Sequence, residues 1–174
     1  MNFIERVRKF EASISIGAST ARGMGKGTVV AGRKFLRHLD LRKFPSEKHA
    51  FQQHLEAKTN ELSRHLPCQS WGAARKFLNI FLRGSLYNRF LCDEFGLVAL
   101  ERFLEVPLDK SVAIGLRAEK GGEYLPAWRT IIRLSREESV QYQEFALQVA
   151  KKKGCERVHL DLWYWRSDES DGNP

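Results

Sequence analysis

The sequence predicts an all-α protein. Three observations carry that expectation. Apolar residues recur at three- and four-residue spacing along most of the chain. Ser, Asp, Pro and Gly interrupt the pattern where helices begin and end. No segment alternates apolar and polar residues as a half-buried strand does. In chain order, Phe3, Ile4, Val7 and Phe10 give residues 1–13 one apolar side, so a short helix is expected there. Residues 14–28 are rich in Gly and Ser and read as a loop. A helix is expected from Val29 to Leu41, with Val30, Phe35 and Leu39 inward. Another starts after Pro45 and Ser46 and runs to His65 on Phe51, Leu55 and Leu62. Pro67 cannot continue that helix, and Gly72 is free to adopt a left-handed turn. Ala73 to Leu91 reads as one long helix with Phe77, Ile80, Phe81 and Leu86 inward, and Gly96 closes a further short piece. Pro107 biases Val106 toward extended backbone. Asp109 then stands as an N-cap for a helix over Lys110–Leu116. Ser135 with Glu138 is a full capping box for a helix from Arg136 to Lys153, and Gly154 is its C-cap. The segment from Arg157 to Trp165 is dense in aromatic residues, and the final SDESDGNP reads as frayed.

Composition narrows the function classes. The chain has 174 residues, 43% hydrophobic and 29% charged, which suits one soluble globular domain over residues 1–174. Lys and Arg number 29 against 21 Asp and Glu, giving a net charge of +8. That surplus favours a polyanionic partner, with nucleic acid first. Cys68, Cys92 and Cys155 stand far apart, with no CxxC pair, which excludes a zinc ribbon or a four-cysteine cluster. The sparse, odd count suits a reducing compartment, and no apolar run is long enough for a membrane span. The charged N-terminal segment lacks the apolar stretch of a signal peptide. A cytoplasmic protein is expected. The five histidines are scattered without metal-ligand spacing, so neither a metal nor an organic cofactor is expected.

The Gly-rich segment Gly25-Lys26-Gly27-Thr28 resembles the end of a phosphate-binding P-loop. It fails the pattern because Gly27 separates the Lys from the Thr. Arg22 and Lys26 remain candidates for contact with a DNA backbone. Three later segments are more specific when taken in order. A helix ends near His65, Leu66-Pro67 opens a tight connection that Gly72 closes, and the basic helix Ala73-Ala74-Arg75-Lys76 follows. Val106-Pro107-Leu108-Asp109 comes next, and then His159-Leu160-Asp161-Leu162-Trp163-Tyr164-Trp165.

Together these resemble the helix-hairpin-helix DNA glycosylase superfamily, and the C-terminal part is similar to 8-oxoguanine glycosylases. The resemblance covers residues 60–165. It implies a helix-hairpin-helix domain that flips a base from DNA and hydrolyses its N-glycosidic bond, leaving an abasic site. Asp109 falls on the family's catalytic carboxylate. Phosphate contacts are implied for Gly72, Arg75, Lys76 and Arg83, with Arg22 and Lys26 outside the matched part. Trp71, Trp163 and Trp165 are base-pocket candidates. The departures bear on mechanism. Cys68-Gln69-Ser70-Trp71 replaces the compact glycine turn of the family, and Ala74 occupies the position that carries the lyase Lys. Lys76 matches only if the Arg-Lys pair is aligned by its apolar surroundings. It then reads as a nucleophile, a phosphate ligand or a surface charge, and the last two rank higher. Hydrolysis without lyase chemistry is therefore expected, from a monomer.

The substrate is either an oxidised or damaged base, as in DNA repair, or a hypermodified phage base such as glucosylated hydroxymethylcytosine, as in antiviral defence. Other readings also stand. Asp109 is an N-cap in any fold, and the tail suits a buried aromatic helix, so a non-catalytic helix-hairpin-helix DNA-binding module accounts for the same residues. A helical RNA-binding domain or a toxin-like nuclease is a third possibility, weakened by the lack of any metal-spaced carboxylate or His cluster.

Overall fold

In the computed structural model, which describes residues 2–165, every regular element is helical, and no strand occurs among the described residues. The expected frayed segment at the C-terminus lies outside the described residues. The α-helices are α1 (Phe3–Ser15), α2 (Thr28–His38), α3 (Lys48–His65), α4 (Trp71–Tyr87), α5 (Arg89–Phe95), α6 (Lys110–Ala118), α7 (Arg136–Lys153) and α8 (Leu160–Tyr164). Short 3-10 turns join several of them, at Leu97–Phe103, Ile131–Arg133 and Arg157–His159 among others.

Local chemistry explains most boundaries. Asn2 and Glu5 form a capping box on α1, and Ser135 with Glu138 forms the expected one on α7. Gly154 ends α7 in the left-handed conformation at φ 70°. Asp109 caps α6, its Oδ1 accepting from the Val112 amide at 2.9 Å.

Two apolar clusters form the interior. The first gathers Leu36, Phe51, Leu62, Phe77 and Phe81 from α2, α3 and α4. The second gathers Val106, Val112, Leu116, Tyr142, Ala146 and Leu160 from α6, α7, α8 and the extended segment before α6. Ile131 packs against both. Helix α4 supplies the first cluster with its apolar face, and its more polar side looks toward α6 and α8. That seam positions the site described below.

Several expectations fail for identifiable reasons. The long helix expected from Ala73 to Leu91 is two helices. The Asn88 side chain accepts from the Phe90 and Leu91 amides and starts α5, a restart hidden by continuous apolar periodicity. Val30 points outward and is 71% exposed, because the buried face of α2 is set by Thr28, Gly32 and Leu36. Phe3 and Phe10 are also exposed, since α1 buries Glu11, Ala12 and Ser15 instead.

The connection after α3 is shorter than the sequence suggests. Trp71 and Gly72 belong to the first turn of α4, and the left-handed residue is Gln69, at φ 46°. Gly72 is needed for a close approach. A β-carbon there would lie 2.1 Å from the Ile131 carbonyl oxygen and 2.9 Å from Leu134 Cβ. Gly72→Ala is expected to cost about 3 kcal/mol through overpacking. Calorimetry should show a melting temperature lowered by about 6–12 °C for a chain of this size. An unchanged transition would mean that residues 131–134 do not press on α4.

Glu11 makes a second stability prediction. It is buried in α1 against Gly84 of α4, and desolvation raises its pKa above the ordinary 4.5 despite hydrogen bonding to Asn88 and Ser15. A carboxyl raised on folding binds protons more tightly in the native state, so its contribution to stability falls as pH rises through the unfolded value. Glu11→Gln should therefore gain stability relative to wild type between pH 4 and pH 7, read as a growing difference in melting temperature. A difference independent of pH would contradict the burial of this carboxyl.

Candidate active site

Lys76, Ile80 and Arg83 are spaced by four and three residues, so α4 presents them on one face. Opposite stand Pro107 and Asp109, which end the extended segment, and Ser111 and Val112 in the first turn of α6. Asp161, Leu162, Tyr164 and Trp165 close the third side from α8 and the residue after it. Together they enclose a cavity of about 290 Å³.

Asp109 is held rigidly. Its backbone is extended, one carboxylate oxygen is fixed by the Val112 amide, and no hydrogen bond among the described residues engages the other. Lys76 is desolvated by burial, which pulls its pKa down, and the nearby Asp109 carboxylate partly offsets that shift. Its Nζ has one long contact, donating to the Thr20 carbonyl at 3.5 Å. Thr20 belongs to the loop between α1 and α2, so this loop reaches the site. Burial therefore makes the ammonium form of Lys76 less favourable than that of an exposed lysine.

The far wall is polar. Arg83 forms an ion pair with Asp161. Arg83 Nε and Asp161 Oδ1 are both buried and have no hydrogen-bond partner among the described residues. Both atoms are unsatisfied inside the protein. Tyr164 forms an immobile apolar side. Its hydroxyl donates to Glu119 at 2.9 Å, and its ring packs so closely on Gly115 that a β-carbon there would lie 2.1 Å from the ring. Trp165 borders the cavity and is 76% exposed, leaving its ring face open to a ligand.

Of the residues singled out from sequence, the structure brings Asp109, Lys76, Arg83 and Trp165 into this one cavity. It places the others elsewhere. Arg75 is buried and held by Glu56, with Glu105 at 3.7 Å and its guanidinium over the Trp71 ring, so it presents no charge to a phosphate. Trp71 donates through Nε1 to Glu56 at 3.0 Å, so it anchors that ion pair and does not line this cavity. Gly72 is covered by residues 131–134, which closes the phosphate cradle expected at this helix start. Trp163 lies outside the cavity, with the Lys153 ammonium 5.2 Å from its ring centre. Arg22 and Lys26 are exposed on the loop that carries Thr20.

Asp161 was not singled out as a site residue from sequence. Residues 161 and 165 are four apart, the spacing that puts two side chains on one helix face, and that was the available signal. No group of three His, Cys, Asp or Glu suited to a metal occurs among the described residues. No described helix is long and apolar enough to cross a membrane. Comparison with protein-family models, curated proteins and solved structures finds no match.

Proposed function

We propose that this protein is a DNA N-glycosylase of the helix-hairpin-helix type. One observation carries the reading: Lys76 and Asp109, 33 positions apart in the chain, meet in one cavity bordered by an exposed tryptophan. Breaking an N-glycosidic bond builds positive charge on the sugar, and a fixed carboxylate stabilises that charge. Asp109 suits this role because its orientation is set by the helix it caps. The flipped base would rest against Trp165 and Tyr164, with Arg83 bordering its edge. Exposed Arg22 and Lys26 would meet the backbone, replacing the grip expected from Gly72 and Arg75.

The burial of Lys76 beside Asp109 supports amine attack over the phosphate-ligand and surface-charge roles ranked higher from sequence. In that step the neutral Lys76 amine bonds to C1′ as the C1′–N bond breaks. The departing base takes the proton that the amine loses. Opening of the sugar ring then gives an imine between Lys76 and C1′, which permits strand cleavage. The substrate is an oxidised or damaged base in repair, or a hypermodified phage base in antiviral defence, and no cofactor enters the step.

The competing reading, a DNA-binding module without catalysis, draws on the capping bond of Asp109. An abasic-site assay separates the two. The panel would hold 8-oxoguanine, uracil and alkylated duplexes, with unmodified, hydroxymethylated and glucosylated phage DNA. Base release from one member supports the glycosylase. Tight, salt-sensitive binding without release from any member supports the module, and neither release nor binding would remove DNA as the partner.

A further inference from the structure

A second cavity, of about 530 Å³, opens between α2 and α3 and shares no residue with the site above. Its floor is apolar, made by Ala31, Phe35 and Leu39, and the Phe35 ring meets His65 at 5.7 Å between centres. Its rim is cationic. Lys34 and Lys43 border it, and no ion pair engages either among the described residues. Each of the two carboxylates at the rim accepts a hydrogen bond. Glu61 accepts from Lys58 at 2.7 Å, and Asp40 accepts from the Arg42 amide at 3.1 Å. Two free ammonium groups above an aromatic floor match a flat ring that carries a phosphate, which is the chemistry of a nucleotide.

The α1–α2 loop links the neighbourhood of the groove to the first cavity. Its His65 mouth adjoins Pro67, and Gly27, at the start of α2, packs within 3.6 Å of Pro67 when given a β-carbon. The same loop carries exposed Arg22 and Lys26 and, through Thr20, touches Lys76 in the first cavity. Two basic residues thus stand on the loop that touches the first cavity and packs near the mouth of the second.

We propose that the α2–α3 groove is a second nucleotide subsite, which takes one unpaired nucleotide of the same DNA molecule. This rests on the DNA reading above. The test measures binding of fluorescein-labelled duplexes that carry a stable abasic-site analogue, either blunt or with a short single-stranded overhang at each end in turn. Wild-type protein should bind one overhang form about tenfold more tightly than the blunt form, the gain of about one stacked base. A Lys34→Glu/Lys43→Glu protein and a Phe35→Ala protein, each confirmed folded by thermal melting, should lose that gain and keep the blunt affinity. Equal affinity of wild type for blunt and overhang forms would overturn the subsite and leave the DNA reading intact. Equal weakening of both forms by the lysine changes would also overturn it, since those residues would then act as general backbone charge. Failure of wild type to bind any form would overturn the DNA reading, and the subsite with it.

Discussion

Asp109→Asn protein is expected to bind target DNA with wild-type affinity and to release base about 1,000-fold more slowly. The size follows from removing a fixed charge that faces developing positive charge. The stability effect should be small, because Asn caps a helix about as well as Asp and can still accept from the Val112 amide. Asp109→Ala separates the two roles. It removes both the charge and the cap, so it should lose activity to a similar degree and about 1 kcal/mol of stability besides. Rates from single-turnover assays, with melting curves on the same samples, check both statements. Full activity in the Asn protein would leave Asp109 as a cap alone.

Lys76→Met protein should form no covalent adduct with DNA and should not cut at abasic sites. Its fold should be at least as stable as wild type near neutral pH, since the change removes an ammonium that burial disfavours. The sign of the pH effect follows from the same fact. A lysine lowered on folding binds protons less tightly in the native state than in the unfolded chain, so its destabilising effect fades as pH rises toward the ordinary 10.5. The stability difference between the Met protein and wild type should shrink over that range. In wild type, the adduct-forming rate should climb with pH to a plateau reached below 10.5, as the neutral amine becomes the dominant form. A rate that ignores pH, or an adduct that survives in the Met protein, would assign the chemistry to another group.

Much of this architecture was legible in the sequence because local chemistry sets it. The Ser135–Glu138 capping box, Gly154 and the Asp109 cap need only neighbours within a turn, and all three were read correctly, whereas the Asn2–Glu5 box on α1 was not. The break between α4 and α5 was not, since Asn88 restarts a helix without disturbing the apolar period. Gly72 was read through its freedom to turn, whereas its role is to admit residues 131–134, an approach that only the tertiary fold reveals. The site divides in the same way. Asp109 was legible from Val106-Pro107-Leu108 before it. Arg75 and Lys76 are adjacent basic residues with opposite fates, one locked by Glu56 and the other turned into the cavity, and the difference lies in which way α4 is rotated. Asp161 stayed hidden because its partner, Arg83, comes from a helix 78 positions earlier in the chain.

The most direct measurement uses DNA with a pre-formed abasic site, which needs no knowledge of the target base. Protein and DNA are mixed with borohydride, and the cross-linked peptide is identified by mass spectrometry. The expected result is one adduct on Lys76, absent from the Lys76→Met protein and formed more slowly by Asp109→Asn. No adduct, or adducts spread over exposed lysines and undiminished in the Met protein, would contradict the assignment of Lys76 as the nucleophile of this cavity.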